Sequence, residues 1–120
     1  MKFVSSGKDT YVYTNNKTVD PAKRSLVFIH GAGFDHSVWT LFARHFSRHD
    51  WNVIALDLPG HGRSEGAVLE SIEEMASWTI ELIDTLRLNS VALVGHSMGS
   101  LVTLETASRL GDRVTHAVLI

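Results

Sequence analysis

Ser97 is the residue whose neighbours most clearly indicate chemistry, because it lies in the pattern Gly95-His96-Ser97-Met98-Gly99. The apolar run Val91–Val94 before it predicts a short buried strand, and the residues after it predict a helix. In a G-x-S-x-G turn the serine takes strained backbone angles and the glycines allow close backbone approach. Its hydroxyl would be exposed at a helix N-terminus, where the Met98 N–H can face a developing oxyanion. The alternative is a chance match in a Gly/Ser loop, against which the strand–turn–helix context argues.

Two further motifs follow predicted strands. Ser25–Ile29 is an apolar run that leads into the tight glycine turn His30–Gly33. Trp51–Leu56 is another apolar run, and it leads into Asp57–Ser64 (DLPGHGRS), which contains one proline and two glycines and is therefore a structured loop. The chain thus has three candidate motifs, each at the end of a predicted strand.

The elements that must position these motifs follow from periodicity and end signals. Ser71 and Glu74 form a capping box, and Gly111 is a helix-ending residue. Helices are predicted over Ser37–Ser47, from Ser71 to about Arg87 and over Leu101–Leu110, and strands over Ser25–Ile29, Trp51–Leu56, Val91–Val94 and Arg113–Ile120, with one or two short antiparallel strands before residue 20.

This alternation predicts an α/β fold with a mostly parallel sheet and helices on both faces. The chain is interpreted as one partial domain over residues 1–120, with an N-terminal strand region at 1–24 and a β-α-β-α-β-α-β core at 25–120. Its sheet is expected to end on the apolar strand that includes Val118, Leu119 and Ile120.

The composition limits the classes of function. The 120 residues carry a formal net charge of −2 with acids and bases interspersed, which gives no electrostatic reason to expect nucleic acid or an anionic membrane as partner. The chain has no cysteine, so a disulfide framework and a cysteine nucleophile are excluded. The N-terminus lacks the apolar segment of a secretory signal, and no apolar run is long enough to span a membrane. A soluble, cytoplasmic protein is the expectation.

Together, HGAGFDHSVW at 30–39, DLPGHGRS at 57–64 and GHSMGS at 95–100 resemble the α/β-hydrolase superfamily, specifically its serine-nucleophile group of esterases, lipases, C–C bond hydrolases and cofactor-free perhydrolases. The resemblance implies that Ser97 is the nucleophile and that the backbone amides of Ala32 and Met98 form the oxyanion hole. Gly33, Phe34 and His36 would line the same pocket. A serine at 97 argues against the branches that use an aspartate nucleophile.

The implied reaction is acyl transfer to water through a seryl ester, with a small-molecule acyl substrate and neither cofactor nor metal. Asp57 and His61 are expected to shape their loop rather than to catalyse. Phe34, Trp39 and Met98 suggest an apolar acyl pocket, although each could equally belong to the core.

In this family the acid and then the histidine of the triad follow the serine in sequence. The resemblance therefore covers the N-terminal half of the fold, and both partners of Ser97 are expected beyond Ile120. Stand-alone activity is doubtful on this interpretation, and self-association or a complementing C-terminal segment is expected.

Several histidines of the chain are candidates for a local base. His36 is the best placed, while His96 should leave the turn in another direction. His30 and His116 are expected to be structural. His45 and His49 lie four residues apart, a spacing that suits a metal pair, but a solvated helix face is the preferred interpretation.

Two alternatives remain open. Gly31-x-Gly33 after a strand, with Asp57 ending the next one, also fits a dinucleotide-binding module, although the third glycine position is His36. The other alternative is a non-catalytic, truncated family member that keeps a binding cleft.

Overall fold

The computed structural model describes residues 1–5 and 8–120, so Ser6 and Gly7 of the predicted N-terminal strand region lie outside the described residues. In this part of the chain the elements are β1 (Lys2–Ser5), β2 (Lys8–Tyr13), β3 (Arg24–Ile29), α1 (Thr40–Ser47), β4 (Trp51–Leu56), α2 (Ile72–Thr85), β5 (Val91–Gly95), α3 (Met98–Leu110) and β6 (Val114–Leu119). Short 3₁₀ turns at His36–Trp39 and Gly111–Arg113 precede α1 and β6.

The strands form one sheet in the order β1-β2-β4-β3-β5-β6. The four strands β4, β3, β5 and β6 are parallel, and β1 and β2 extend the sheet on one side as antiparallel strands. The predicted α/β fold with a mostly parallel sheet is confirmed. Because β3, β4 and β5 run in the same direction, the three motifs that follow them lie at the same edge of the sheet.

Alternation along β3 divides the core between the two faces of the sheet. Leu26 and Phe28 pack on the face that α1 covers, together with Trp39 and Ala43. On the other face, the alternate residues of β3 pack with buried side chains of α2 and α3. These buried residues are Val27 and Ile29 of β3, with Met75, Leu82, Ile83 and Val102 of the helices. Helices on both faces are therefore confirmed.

Local side chains set the ends of the helices. Ser71 Oγ accepts a hydrogen bond from the Glu74 N–H at 3.1 Å, as the capping pattern predicts, and α2 ends at Thr85, two residues before the predicted end. The helix predicted from Ser37 begins instead as the 3₁₀ turn, with Asp35 as its N-cap. The start of α3 also differs: the helix begins at Met98 rather than at Leu101, because the turn after β5 is tight enough for the helix to follow directly.

β6 is an edge strand of the described sheet and is apolar and exposed near its end, as the sequence predicts. The exposed fractions are 46% for Val118, 47% for Leu119 and 60% for Ile120. His116, interpreted as a satisfied structural histidine, is exposed and pairs in register with Ala92 of β5, and its Nδ1 lies 3.1 Å from the Thr115 hydroxyl. Among the residues described, no helix combines the length and the apolar character needed to cross a bilayer.

Candidate active site

Ser97 occupies the turn between β5 and α3 with φ +55° and ψ −120°. A positive φ is uncommon for a residue other than glycine and persists only where the surroundings enforce it. Here the neighbouring backbone does so: the Ser97 N–H donates to the Ile120 carbonyl at 3.0 Å, and the His96 N–H donates to the Ile29 carbonyl at 3.1 Å. The Ser97 side chain is exposed.

The two glycines of the motif are required by close backbone packing. A β-carbon on Gly99 would overlap the carbonyl oxygens of Ile29 and His30, at the end of β3. A β-carbon on Gly95 would overlap the Gly99 carbonyl and the Thr103 hydroxyl. The N-terminus of α3 is therefore pressed against β3, and a serine between the glycines must turn sharply.

The glycine turn after β3 lies against Ser97. The Phe34 N–H donates to the Gly31 carbonyl at 3.2 Å, and Gly33 has φ +75°, as the third residue of a type II turn requires. A β-carbon on Gly31 would lie 3.2 Å from the Ser97 β-carbon. Ala32 is exposed at the second position of this turn. The turn's own hydrogen bond uses the Phe34 N–H and not the Ala32 N–H.

Met98 is the first residue of α3, so its N–H has no acceptor within the helix. Since Ala32 follows Gly31, where an added β-carbon would lie 3.2 Å from that of Ser97, the turn and the helix N-terminus bring two N–H groups to the same edge of the sheet as the serine. Such groups are suited to hold a developing negative charge.

A cavity of about 210 Å³ opens beside this turn, and its lining is Phe34, Val38, Trp39, Phe42, His96 and Ile120. The Phe34 ring meets the His96 ring edge-on, with centroids 6.3 Å apart. Trp39 is only 3% exposed, and its Nε1 is buried with no hydrogen-bond partner in the described part of the chain. Of the predicted pocket residues, Phe34 lines this cavity, whereas Gly33 and His36 are not part of its lining.

His36 instead contacts the loop that follows β4. Its Nδ1 is 3.0 Å from both carboxylate oxygens of Asp57, and its backbone N–H donates to Oδ1 at 2.7 Å. The ring stacks on Tyr13, with centroids 5.6 Å apart, and packs at a tilt against Tyr11. Both tyrosines belong to β2, so β2 and the loop after β4 hold the imidazole, and its Nδ1 is engaged by Asp57 rather than by Ser97.

Asp57 is fully buried and its side chain accepts backbone hydrogen bonds from two directions. Besides His36, the Arg63 N–H donates to Oδ2 at 2.9 Å, and the Asp57 carbonyl accepts from the Ser64 hydroxyl at 2.6 Å. These contacts support the interpretation that Asp57 shapes its own loop. They also remove the observation behind the dinucleotide-binding alternative, since a buried carboxylate with its oxygens engaged cannot contact a ribose.

Asp35, His36 and Asp57 place donor atoms within 4.8 Å of one another, which is a spacing a metal ion could use. Both Asp57 oxygens already accept N–H bonds, so hydrogen bonding accounts for this cluster without an ion. His45 and His49 have ring centroids 4.5 Å apart and are both exposed, but only His45 lies on α1, because the helix ends at Ser47 and His49 is in the turn after it.

His30 is fully buried and joins two of the motifs. Its Nε2 accepts a hydrogen bond from the Leu58 N–H at 3.1 Å, so its proton is on Nδ1, which donates to the Gly31 carbonyl at 2.7 Å. Burial lowers the pKa of His30, and the nearby His61 lowers it further. The predicted structural role of this histidine agrees with these bonds.

Comparison with known proteins gives the family. Residues 24–120 match the family model for the alpha/beta hydrolase fold, and the chain belongs to that family. Among curated relatives, an (E)-2-((N-methylformamido)methylene)succinate hydrolase of Acinetobacter baylyi is 40% identical over 116 residues, which are 92% of this chain and 44% of the relative.

Two solved structures extend the likeness. A marine microorganism esterase has a TM-score of 0.81 and 25% identity over 92% of this chain and 40% of its own. A thioesterase domain from the curacin biosynthetic pathway has a TM-score of 0.86 and 25% identity over 100% of this chain and 44% of its own. The chain thus has a hydrolase-like α/β fold with hydrolase and esterase relatives, and it spans less than half the length of each of these three proteins.

Proposed function

We propose that Ser97 is the nucleophile of a serine hydrolase that cleaves carboxylic esters or related acyl substrates through a seryl-ester intermediate. The observation that carries the proposal is the strained backbone of Ser97, with φ +55°, in a turn whose serine side chain is exposed against the glycine turn at Gly31. The hydrolase and esterase relatives support the same class of reaction.

In the proposed reaction, Ser97 Oγ attacks the acyl carbon while a general base takes its proton. The carbonyl oxygen becomes an oxyanion that accepts hydrogen bonds from the Ala32 and Met98 backbone N–H groups. Collapse breaks the bond to the leaving group, which takes the proton from the base. Water then attacks the seryl ester by the same steps, releasing the acid and restoring the serine hydroxyl.

In this family the histidine that acts as general base follows the serine in the sequence. A serine hydroxyl is a weak nucleophile without one. Of the described histidines, His30 is bonded to Leu58 and Gly31, and His36 to Asp57. We propose that a complementing C-terminal segment supplies both the histidine and the acid, since the chain spans 44% of its hydrolase relative.

The cavity beside Ser97 is proposed to hold the acyl group. Its lining is largely aromatic and aliphatic, and it adjoins the serine through the neighbouring His96 and through Ile120, whose carbonyl accepts the Ser97 N–H. Burial of a methylene group contributes about 0.8 kcal/mol, so this lining favours an apolar acyl chain.

Reaction with a fluorophosphonate, followed by mass spectrometry, tests the nucleophile. In the labelling and kinetic experiments the parent protein is the chain together with its complementing C-terminal segment. We expect phosphonylation at Ser97 in this parent protein and its loss in Ser97→Ala. Ser108→Ala is the matched control, because Ser108 is an exposed serine on α3, the helix that follows Ser97, and its substitution should leave labelling unchanged. Hydrolysis of a p-nitrophenyl ester should follow the same pattern.

Failure of this parent protein, with the complementing segment present, to react at Ser97 would contradict the proposal and favour the alternative of a non-catalytic family member with a binding cleft. Labelling that persists in Ser97→Ala would contradict it as well, since another residue would then be the reactive nucleophile.

A further inference from the structure

The turn that carries Ala32 is held at both of its ends by the segment after β4. At one end, His30 accepts a hydrogen bond from the Leu58 N–H at 3.1 Å. At the other end, His36 is bound to the Asp57 carboxylate. The five residues between these anchors, 31–35, include the whole turn that lies against Ser97.

The anchor at His36 uses both its backbone and its side chain. The N–H donates to Asp57 Oδ1 at 2.7 Å, and Nδ1 lies 3.0 Å from each carboxylate oxygen. Two donors from one residue to one buried carboxylate fix both the position and the orientation of the residue. Loss of either donor leaves part of a buried carboxylate without its partner, which is costly.

The chain after β4 is built to present this carboxylate. Gly62 has φ +52°, and a β-carbon there would overlap the Asp57 side chain, so only glycine allows the loop to pass so close. The next residue, Arg63, then donates its N–H to Oδ2 at 2.9 Å. Contacts within its own loop therefore hold the Asp57 carboxylate in the position where it binds His36.

We propose that Asp57 and His36 are positioning residues for the reaction at Ser97, acting by holding the Ala32 N–H where the oxyanion forms. This inference rests on the proposed function. An oxyanion donor is effective only when it is held in place before charge develops, because it then needs no rearrangement during the reaction. A displacement of about 1 Å in such a group can cost about 100-fold in rate.

Two substitutions at His36 isolate the side-chain hydrogen bond. His36→Asn places an amide N–H where Nδ1 is, whereas His36→Leu is similar in size and has no donor. Both remove the ring that packs on Tyr11 and Tyr13, so a role confined to ring packing would affect them equally. His45→Leu, at an exposed position of α1, is the control for replacing a histidine by leucine.

The rate constant for phosphonylation of Ser97 and the kcat and KM for a p-nitrophenyl ester are the first measurements. We expect His36→Leu to lower the phosphonylation rate and kcat by about 10- to 100-fold, with KM changing less than kcat. His36→Asn should recover most of the loss, and His45→Leu should match the parent. Amide hydrogen exchange of residues 31–35 should accelerate in His36→Leu at temperatures well below its unfolding midpoint.

Equal kinetics in His36→Leu and the parent, or equal losses in the Leu and Asn variants, would overturn the inference. Failure of the proposed function is distinguishable from this result, because the parent itself would then not react at Ser97. The hydrogen-exchange comparison does not depend on activity, and unchanged exchange at residues 31–35 would contradict the anchoring by itself.

Discussion

Gly99 lies so close to Ile29 that a β-carbon at residue 99 would overlap the Ile29 carbonyl oxygen. This contact joins the first turn of α3 to the end of β3, two elements that are far apart in sequence. It explains why the helix starts immediately after Ser97, and it makes the strained serine a consequence of packing rather than of local sequence alone.

Gly99→Ala should therefore be strongly destabilising. Overlap with backbone atoms cannot be relieved by a side-chain rotation, so we expect a loss of at least about 2 kcal/mol in the free energy of unfolding. Gly31→Ala is the comparison, because its β-carbon would lie 3.2 Å from the Ser97 β-carbon and 3.3 Å from the His96 carbonyl, a contact that a small shift relieves. Thermal or urea unfolding measures both, and equal losses in the two variants would show that the close approach at Gly99 is not what the motif requires.

Most of the fold could be predicted from the sequence because its signals are local. Buried parallel strands are continuous apolar runs, and Val91–Val94 and Trp51–Leu56 were recognisable as such. The start of α2 was equally local, since Ser71 caps its own helix. The start of α3 was not, because it depends on how closely Gly99 can approach β3.

The arrangement of the candidate site could be predicted only for residues that lie close together in one sequence motif. Ser97 and its glycines belong to one stretch, and Phe34 lines the expected cavity. The bond between His36 and Asp57 joins residues 21 positions apart on two loops, and no periodicity reveals such a pair. One feature of the sequence could have indicated the pair: Asp57 comes directly after a buried strand. A carboxylate that is buried there needs hydrogen-bond partners.

The buried His30 should make stability depend on pH. Because burial lowers its pKa in the folded state below the ordinary value of 6.5, the unfolded chain binds a proton first as the pH falls. The free energy of unfolding should therefore decrease as the pH falls below about 6.5, with no contribution from this residue at higher pH.

His30→Gln tests this dependence, since its side-chain oxygen can still accept from the Leu58 N–H but does not titrate. Urea unfolding at several pH values should show a flatter acid-side slope than in the parent, even if the variant is less stable throughout. His49→Gln, at an exposed position, should keep the parent slope. An unchanged slope in His30→Gln would show that another group causes the acid sensitivity.

The exposed β6 edge predicts association of the isolated 120-residue polypeptide. Val118 is 46% exposed on a strand with an unpaired edge, and such edges pair with other chains. Sedimentation velocity over a range of concentrations should show self-association, and Val118→Lys should reduce it, because a charged edge residue opposes strand pairing. Val68→Lys, at an exposed loop residue, is the control. A monodisperse monomer of the isolated polypeptide would contradict the prediction.

The cavity beside Ser97 predicts a preference for longer acyl chains that can be removed by filling it. Val38 lines the cavity and is 40% exposed, so Val38→Phe should occupy part of its space with little effect on the core. The ratio of kcat/KM for p-nitrophenyl hexanoate to that for the acetate should fall by about 10-fold or more, because hydrophobic pockets discriminate by that much per methylene. Leu41→Phe adds an aromatic ring to a 75% exposed position on α1, the helix that follows the turn of Val38, outside the lining, and should leave the ratio unchanged. If both variants shift the ratio equally, the acyl chain binds elsewhere.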